Sequence, residues 1–173
     1  LKYFKVKDGL EIHYDGDLPG NSGTGSSAAF CVGLIKCLAQ YTKKKLNKKQ
    51  IALLAYKIEK DKLKESTGMQ DHIYASYGGF NRINFSKNNF KVLNISKNKN
   101  ITKKLSENLL LFYTYKNRVA HNIEKKKFKN LVKKVDILNQ MKLMCISSIK
   151  LIQENKKRNM NEIWIKILKV KSE

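Results

Sequence analysis

Residues 18–31 read LPGNSGTGSSAAFC, and this stretch decides the fold. It places three glycines within six positions, follows them with two adjacent serines, and then continues with small and apolar residues. Glycines remove side chains, so that successive backbone N–H groups can turn towards an anion. A helix that follows adds its positive end and its unpaired amides. The stretch therefore predicts either a phosphate-binding loop or an ordinary turn before a helix.

Two common nucleotide-binding patterns do not describe this stretch. A Walker loop ends in Gly-Lys-Ser/Thr, whereas two serines follow Gly25. Gly23–Ala28 matches the dinucleotide string, but Asp15–Ser22 separates it from any preceding strand, and a helix replaces the required second parallel strand. A triphosphate cradle without a Walker lysine remains. In it, Ser26 and Ser27 either cap the helix or direct a hydroxyl at a metal–phosphate pair.

Composition narrows the class of protein. The 173 residues carry a formal net charge of +22, but the lysines are scattered in short tracts rather than gathered in one segment. This scatter argues against a nucleic-acid-binding module, which stays as an alternative hypothesis. The apolar runs are too short to span a bilayer and no secretion signal begins the chain, so we expect a cytoplasmic protein without membrane contact.

The cysteines and histidines do not predict a zinc site. Cys31, Cys37 and Cys145 are widely spaced, and we interpret them as buried thiols of a reducing compartment. The three histidines are scattered and have no companion at the spacing of zinc ligands.

The first half of the chain predicts a hairpin and two helices. KYFKV and LEIHY flank Asp8-Gly9, which is a hairpin signal. SSAAFCVGLIKCLAQY predicts a helix in which Gly33 marks close packing against a neighbouring element. A second helix, KKQIALLAYKIEKDKLKE, is predicted next. The apolar residues at helical spacing in the two helices are Phe30, Leu34, Cys37 and Leu38, and then Ile51, Leu54, Ala55 and Ile58.

The second half predicts strands and further helices. A loop from residue 66 leads into a short helix that ends at Gly78-Gly79, and FNRINF and FKVLNI predict a hairpin. NLLLFYTY predicts a central strand, residues 119–155 predict a helix, and a lysine-rich helix ends the chain. The fold class is therefore α+β, with an antiparallel sheet and helices packed on one face.

Two motifs resemble a known family. PGNSGTGSSAA at 19–29 resembles the second motif of the GHMP kinases, usually P-x-x-x-G-L-G-S-S-A, with Thr24 in place of the leucine. GMQDHIYASYGGFN at 68–81 resembles the G-K-Q-D-Q-Y-A-A-A-x-G-G-F-N string of the heptose 7-phosphate kinase branch, and ENLLLFYTYKNRVAHNI resembles that branch's strand and following helix. The resemblance implies part of a GHMP-kinase-like two-layer sandwich of antiparallel or mixed sheet with helices on one face. Residues 1–85 would belong to the N-terminal ATP-binding domain, and residues 86–173 to a truncated C-terminal domain.

The resemblance also implies an activity. It indicates an ATP- and Mg²⁺-dependent kinase that phosphorylates the anomeric hydroxyl of a heptose 7-phosphate, in the synthesis of nucleotide-activated heptose for surface polysaccharide. Galactose or mevalonate is the alternative acceptor, and a non-catalytic remnant is the alternative to an enzyme. The partner is a small-molecule sugar phosphate, and a complementary chain or a second copy is left open. The family's first and third motifs are absent, so we expect a kinase fragment.

The family's functional residues map onto this sequence by motif. Asp71 matches the catalytic aspartate that takes or orients the acceptor's proton, and Ser27 and Glu59 match the magnesium ligands. Gln70 and Arg118 would bind substrate, and His72, which with Gln70 flanks Asp71, could also contact sugar hydroxyls. The residues that would bind the nucleotide are Pro19, Gly20, Gly23, Thr24, Gly25, Ser26 and Ser27.

Each of these residues also has a structural alternative. Glu59 shares the inward face of the second helix, where an acid is costly unless it is paired, and a nearby lysine could pair it. Asp71 could instead cap a helix over 72–77. Arg118 could be solvated, since Tyr115 stands where the branch has glycine.

Overall fold

The computed structural model describes residues 1–17, 23–65, 67–87, 89–95, 99–112 and 135–153. These residues form two compact units, one containing Leu1–Gly79 and the other containing Phe80–Leu111 and the last described helix. The predicted domain boundary between residues 85 and 86 stays a prediction. The helices are α1 (Ser26–Tyr41), α2 (Lys48–Lys57), α3 (Gln70–Tyr77), α4 (Lys99–Ser106) and α5 (Val135–Gln153), and the strands are β1 (Asn81–Ser86) and β2 (Asn89–Asn94).

Helices α1, α2 and α3 pack against one another to form the first unit. The prediction of α1 is confirmed, but among the apolar residues expected on its inward face only Leu38 is fully buried, and Leu34 is half-buried. Phe30 and Cys37 lie on a second apolar side of α1, which faces the segment 10–14 across an open groove, and both are exposed. The rings of Tyr14 and Phe30 lie 4.8 Å apart there. No atom lies within 4 Å of a Cβ built on Gly33, so the predicted close packing there is wrong. The buried side chains of α1 are Ala28, Val32, Ile35, Leu38 and Ala39.

Helix α2 begins at a capping box and ends in a wider turn. The Asn47 side chain accepts a hydrogen bond from the Gln50 backbone, and the Gln50 side chain accepts one from the Asn47 backbone. The predicted helix continues as a π-helical turn at Ile58–Lys62, in which the Leu63 amide bonds to the Ile58 carbonyl at 3.1 Å. The inward face is confirmed by the buried residues Ile51, Ala52 and Ala55.

The predicted N-terminal hairpin is wrong. Lys2–Phe4 forms a 3₁₀ turn that ends at Lys5 in the left-handed conformation (φ 54°), and residues 6–17 form no strand. Phe4 is buried in the core with Val32 and Ile35 of α1. An isolated two-stranded hairpin is marginal in water, so burial of the Phe4 ring decides the conformation instead.

The second unit contains the hairpin predicted from FNRINF and FKVLNI. β1 and β2 pair antiparallel, with Phe85 opposite Phe90. Helix α4 was not predicted, and α5 confirms the predicted helix over 135–153. Residues 119–134 and the final lysine-rich helix lie outside the described residues. The described residues form helices and one two-stranded antiparallel sheet, which agrees with the α+β class. The two-layer sandwich with helices on one face stays a prediction.

The predicted central strand NLLLFYTY is not formed over its described part. Residues 109–112 have no strand partner there, and Leu110 is 83% exposed. A continuous apolar run becomes a central strand only when a sheet covers both of its faces, and no described residue supplies that cover. Tyr113–Tyr115 lie outside the described residues.

The cysteines are less buried than expected. Cys37 and Cys145 are exposed and Cys31 is half-buried, so the prediction of three buried thiols is wrong. In the part of the chain that the structure describes, no helix is long and apolar enough to cross a membrane.

Candidate functional site

The glycine turn leads directly into α1. Gly23 and Gly25 have φ values of +76° and +77°, a left-handed conformation that glycine adopts without steric cost. Gly25 is the N-cap of α1, so the expectation that Ser26 or Ser27 caps this helix is wrong. Among the described residues no side chain caps the helix, and its first turn contains no acid. The first-turn amides and the positive helix end are therefore suited to an anion.

Ser27 and Glu59 form the first polar contact of the site. The Ser27 hydroxyl donates a hydrogen bond of 2.6 Å to Glu59 Oε1. Glu59 lies in the π-helical turn and is only 2% exposed, which confirms its predicted inward position. The predicted alternative, a carboxylate at the helix edge bonded to lysine, is wrong, because the partners of Glu59 are Ser27 and a histidine.

That histidine is His72 of α3. Its Nε2 lies 3.0 Å from Glu59 Oε2, its Nδ1 lies 3.3 Å from the Gly68 carbonyl oxygen, and its ring meets Tyr56 edge to face at 5.8 Å. The His72 side chain is fully buried. A sugar hydroxyl cannot reach it, so the expectation of a substrate contact at His72 is wrong.

Asp71 lies at the mouth of the glycine turn. A Cβ atom built on Gly25 would lie 3.4 Å from Asp71 Cγ and 3.5 Å from Oδ2. Asp71 is exposed and occupies the first turn of α3, where the helix dipole favours a carboxylate. The N-cap of α3 is Met69, so the alternative of Asp71 as a helix cap is wrong. The carboxylate is therefore left facing the entrance to α1.

Several predicted residues meet at the N-terminal end of α1. The turn residues Gly23 to Ser26 lead to Ser27, which bonds Glu59, and Asp71 lies against Gly25. Gln70 is exposed beside Asp71. Sequence reasoning did not find the contact between His72 and Glu59. The available signal was only that a buried acid needs a partner. The predicted residues that lie outside the described ones are Pro19, Gly20 and Arg118.

Comparisons with known proteins find sequence similarity to one family and to two curated proteins. The GHMP kinases N terminal domain family matches residues 1–79. Residues 1–79 are thus similar to the N-terminal domain of the GHMP kinases.

Two curated proteins are among the matches of this chain. It is 37% identical over 119 residues to D-glycero-alpha-D-manno-heptose 7-phosphate kinase of Campylobacter jejuni, covering 68% of this chain and 35% of the relative. It is 30% identical over 89 residues to mevalonate kinase of Methanocaldococcus jannaschii, covering 50% of this chain and 28% of the relative. The matched part thus spans about a third of these relatives, at 35% and 28%. A comparison with solved structures finds no match.

The candidate site offers oxygen ligands to a cation. The described residues contain no group of three or more His, Cys, Asp or Glu that could hold a metal. Mg²⁺ needs no such cage, because it keeps several waters and binds one or two protein oxygens together with substrate phosphates. The Ser27 hydroxyl and the Glu59 carboxylate provide two such oxygens beside a helix end suited to phosphate. The residues present therefore fit Mg²⁺.

Cys31 lies behind this site on α1. Its thiol is 3.8 Å from the Ala55 carbonyl oxygen, to which it donates a weak hydrogen bond. Burial, and secondly the nearby Glu59 carboxylate, raises the pKa of the Cys31 thiol to about 11. The neutral thiol is therefore the stable form at physiological pH, and Cys31 packs as a small apolar side chain.

Proposed function

We propose that this chain is part of a kinase that transfers phosphate from ATP to a small-molecule sugar phosphate of the heptose 7-phosphate class. One observation carries the proposal: the Asp71 carboxylate lies against Gly25, at the helix end where Ser27 is bonded to Glu59. The match of residues 1–79 to the GHMP kinase family supports the reaction type. The relative that is 37% identical over 119 residues supports the substrate class.

The glycine turn binds the nucleotide in this proposal. The turn from Gly23 to Ser26, with Thr24 within it, leads backbone amides to the start of α1, and Gly25 adopts a conformation that other residues rarely reach. Phosphate groups accept hydrogen bonds from such amides and are attracted to the positive helix end. Pro19 and Gly20 belong to the same proposed loop by motif. The turn would hold the triphosphate of ATP without a Walker lysine.

Ser27 and Glu59 are the proposed Mg²⁺ ligands. Ser27 is exposed on the first turn of α1, and the buried Glu59 presents Oε1 to the Ser27 hydroxyl. Both would bind Mg²⁺, which when bound neutralises charge on the transferred phosphoryl group. Ser27 lies on the first turn of α1, next to the helix end, so nucleotide and cation would be held together.

Asp71 acts on the acceptor in the proposed reaction. Its carboxylate accepts a hydrogen bond from the attacking hydroxyl, orients it, and takes its proton as the new oxygen–phosphorus bond forms. The bond between the γ-phosphorus and the bridging oxygen breaks at the same time, and ADP leaves. The exposed carboxylate faces the glycine turn, so a hydroxyl bound to it would lie towards the triphosphate. Positioning of this kind supplies much of the rate in phosphoryl transfer, since little covalent chemistry is required of the protein.

The acceptor is proposed as a heptose 7-phosphate that is phosphorylated at its anomeric hydroxyl, for the synthesis of nucleotide-activated heptose. Gln70 lies exposed beside Asp71, where its amide can bond sugar hydroxyls. Arg118 would bind the acceptor's phosphate through its fork of donors. The relative that is 30% identical over 89 residues, a mevalonate kinase, makes mevalonate the second candidate acceptor.

Transfer and binding measurements test this proposal on the full chain. We expect ADP to bind in the presence of Mg²⁺, and heptose 7-phosphate to be phosphorylated in preference to mevalonate and galactose. Asp71→Asn should lower turnover by a factor of about 100 to 10,000, the usual contribution of a positioned base, and leave Mg²⁺-ADP binding unchanged. Calorimetry measures the binding, and phosphorus NMR follows the product.

Asp136→Asn is the matched control, because Asp136 is also an exposed aspartate in the first turn of a helix, α5. It should behave as the parent chain does. The proposal fails if the chain binds no ADP with Mg²⁺, or if Asp71→Asn retains more than about a tenth of the turnover. Preference for mevalonate would keep the kinase and replace the acceptor.

A further inference from the structure

His72 is a buried polar side chain to which the proposed reaction assigns no role. It follows Asp71 directly in α3, yet its side chain is 0% exposed, whereas Asp71 is exposed. Burial of a histidine requires partners for its ring nitrogens. Both partners are known: Glu59 Oε2 at 3.0 Å from Nε2, and the Gly68 carbonyl oxygen at 3.3 Å from Nδ1. The ring therefore connects the loop before Asp71 to the carboxylate of Glu59.

The two oxygens of Glu59 are divided between two elements. Oε1 accepts from the Ser27 hydroxyl of α1 at 2.6 Å, and Oε2 lies 3.0 Å from His72 Nε2 of α3. A glutamate carboxylate rotates easily about its Cγ–Cδ bond when only one of its oxygens is hydrogen-bonded. With both oxygens held, its plane is fixed, and only Oε1 is directed to the hydroxyl on the first turn of α1.

We propose that His72 is a positioning residue that holds Glu59 Oε2, so that Oε1 stays directed at Ser27, where the cation would bind. The inference rests on the proposed function, because the cation belongs to it. His72 acts through Glu59 and touches neither substrate nor cation. Side chains that orient a metal ligand in this way usually change metal affinity 10- to 100-fold when removed. The Gly68 carbonyl oxygen, 3.3 Å from Nδ1, belongs to the loop that leads into Asp71.

A merely structural role for His72 predicts different results. If the ring only filled space, His72→Leu would change stability but not the geometry of Glu59. His72→Gln provides the conservative variant, since its amide N–H can still donate to Glu59 Oε2. His13 provides the matched control: its Nε2 lies 2.8 Å from Glu11 Oε1, but both side chains are more than 80% exposed, at 84% and 85%.

The first experiment needs no metal or nucleotide. Urea unfolding in EDTA measures how much Ser27→Ala destabilises the parent chain, His72→Leu and His72→Gln. If His72 directs Oε1 at Ser27, the hydrogen bond between Ser27 and Glu59 is already lost in His72→Leu. Ser27→Ala should then lower the free energy of unfolding of His72→Leu by less than half as much as it lowers that of the parent chain. In His72→Gln the effect should persist. An equal or larger effect in His72→Leu overturns the proposal, because Glu59 would then stay on Ser27 without the histidine.

The second experiment measures the Mg²⁺ concentration that half-saturates ADP binding to the full chain. His72→Leu should raise it about 10- to 100-fold, and His72→Gln and His13→Leu should leave it within about threefold. The affinity for ADP without metal should stay within about twofold in every variant, since the glycine turn is untouched. If Glu59→Gln abolishes the effect of Mg²⁺ on ADP binding while His72→Leu leaves the half-saturating Mg²⁺ concentration unchanged, the positioning role is overturned and the metal site is not. An unchanged requirement in Glu59→Gln overturns the proposed metal site, which the metal-free experiment does not use.

Discussion

Ser27 and Glu59 lie 32 residues apart in sequence and share a hydrogen bond of 2.6 Å. One member is exposed on the first turn of a helix, and the other is buried in a π-helical turn. The bond therefore links a buried carboxylate to a hydroxyl at the surface of the first unit. A buried carboxylate is costly unless it is satisfied, so this pair is expected to matter for folding as well as for binding.

Ser27→Ala should lower the free energy of unfolding by about 1–3 kcal/mol, because it removes one partner of a buried carboxylate. Urea denaturation measures this. Ser148→Ala is the control: the Ser148 hydroxyl donates only to the Met144 carbonyl of its own helix at 2.8 Å, and its loss should change stability by less than about 0.5 kcal/mol. Equal effects of the two substitutions would show that the Glu59 contact contributes nothing.

Gly25→Ala should destabilise the chain by about 1–2 kcal/mol, the cost of a left-handed conformation for a residue with a Cβ atom. The new methyl group would also lie 3.4 Å from Asp71 Cγ, so nucleotide binding should weaken. Gly33→Ala tests the opposite case within the same helix. Its Cβ meets nothing within 4 Å, and alanine favours a helix, so stability should rise by about 0.5–1 kcal/mol. Thermal unfolding of both variants distinguishes them by sign.

Asn47→Ala should destabilise the first unit by about 1 kcal/mol, because it removes the side chain that caps α2. The capping box joins Asn47 and Gln50 through bonds of 2.9 and 2.8 Å. Asn47→Asp retains the acceptor and should restore most of the loss. Urea midpoints measured side by side check this prediction, and a full loss in Asn47→Asp would contradict it.

Cys31 should resist alkylation by iodoacetamide at pH 9, while Cys37 and Cys145 react. The thiolate is the reactive form, and a pKa of about 11 leaves only about a hundredth of Cys31 ionised at that pH. The free energy of unfolding should fall as pH rises from about 9 to 11, because the thiol of the unfolded chain ionises at a lower pH than the buried thiol. Peptide mass spectrometry measures the three rates. Modification of Cys31 as fast as that of Cys37 would disprove the burial argument.

Much of the site could be predicted because its signals are local. The start of α1 follows from small residues after glycine, and the inward position of Glu59 follows from its spacing to Ile51 and Ala55. The position of Asp71 beside Gly25 was predicted only through the family motif, since the contact depends on how α3 packs against α1.

Features set by long-range packing were predicted poorly. Asp8-Gly9 favours a hairpin locally, but burial of Phe4 against α1 prevails. The apolar face of α1 was assigned to Phe30, although both sides of that helix carry apolar residues and only the side towards α2 is enclosed. The role of His72 depends on a contact with a residue 13 positions earlier, and no spacing rule within one helix predicts it.

The wide turn at Ile58–Lys62 bears on how sequences of this kind tolerate length variation. The Glu59 carbonyl accepts the Glu65 amide at 3.1 Å, so the chain folds back immediately after the carboxylate. We expect insertions and deletions between Lys60 and Lys64 to be absorbed there, because a π turn loses or gains one residue without unwinding the helix before it. Evolution could then alter the number of residues between Glu59 and Asp71 while their separation in space stays fixed.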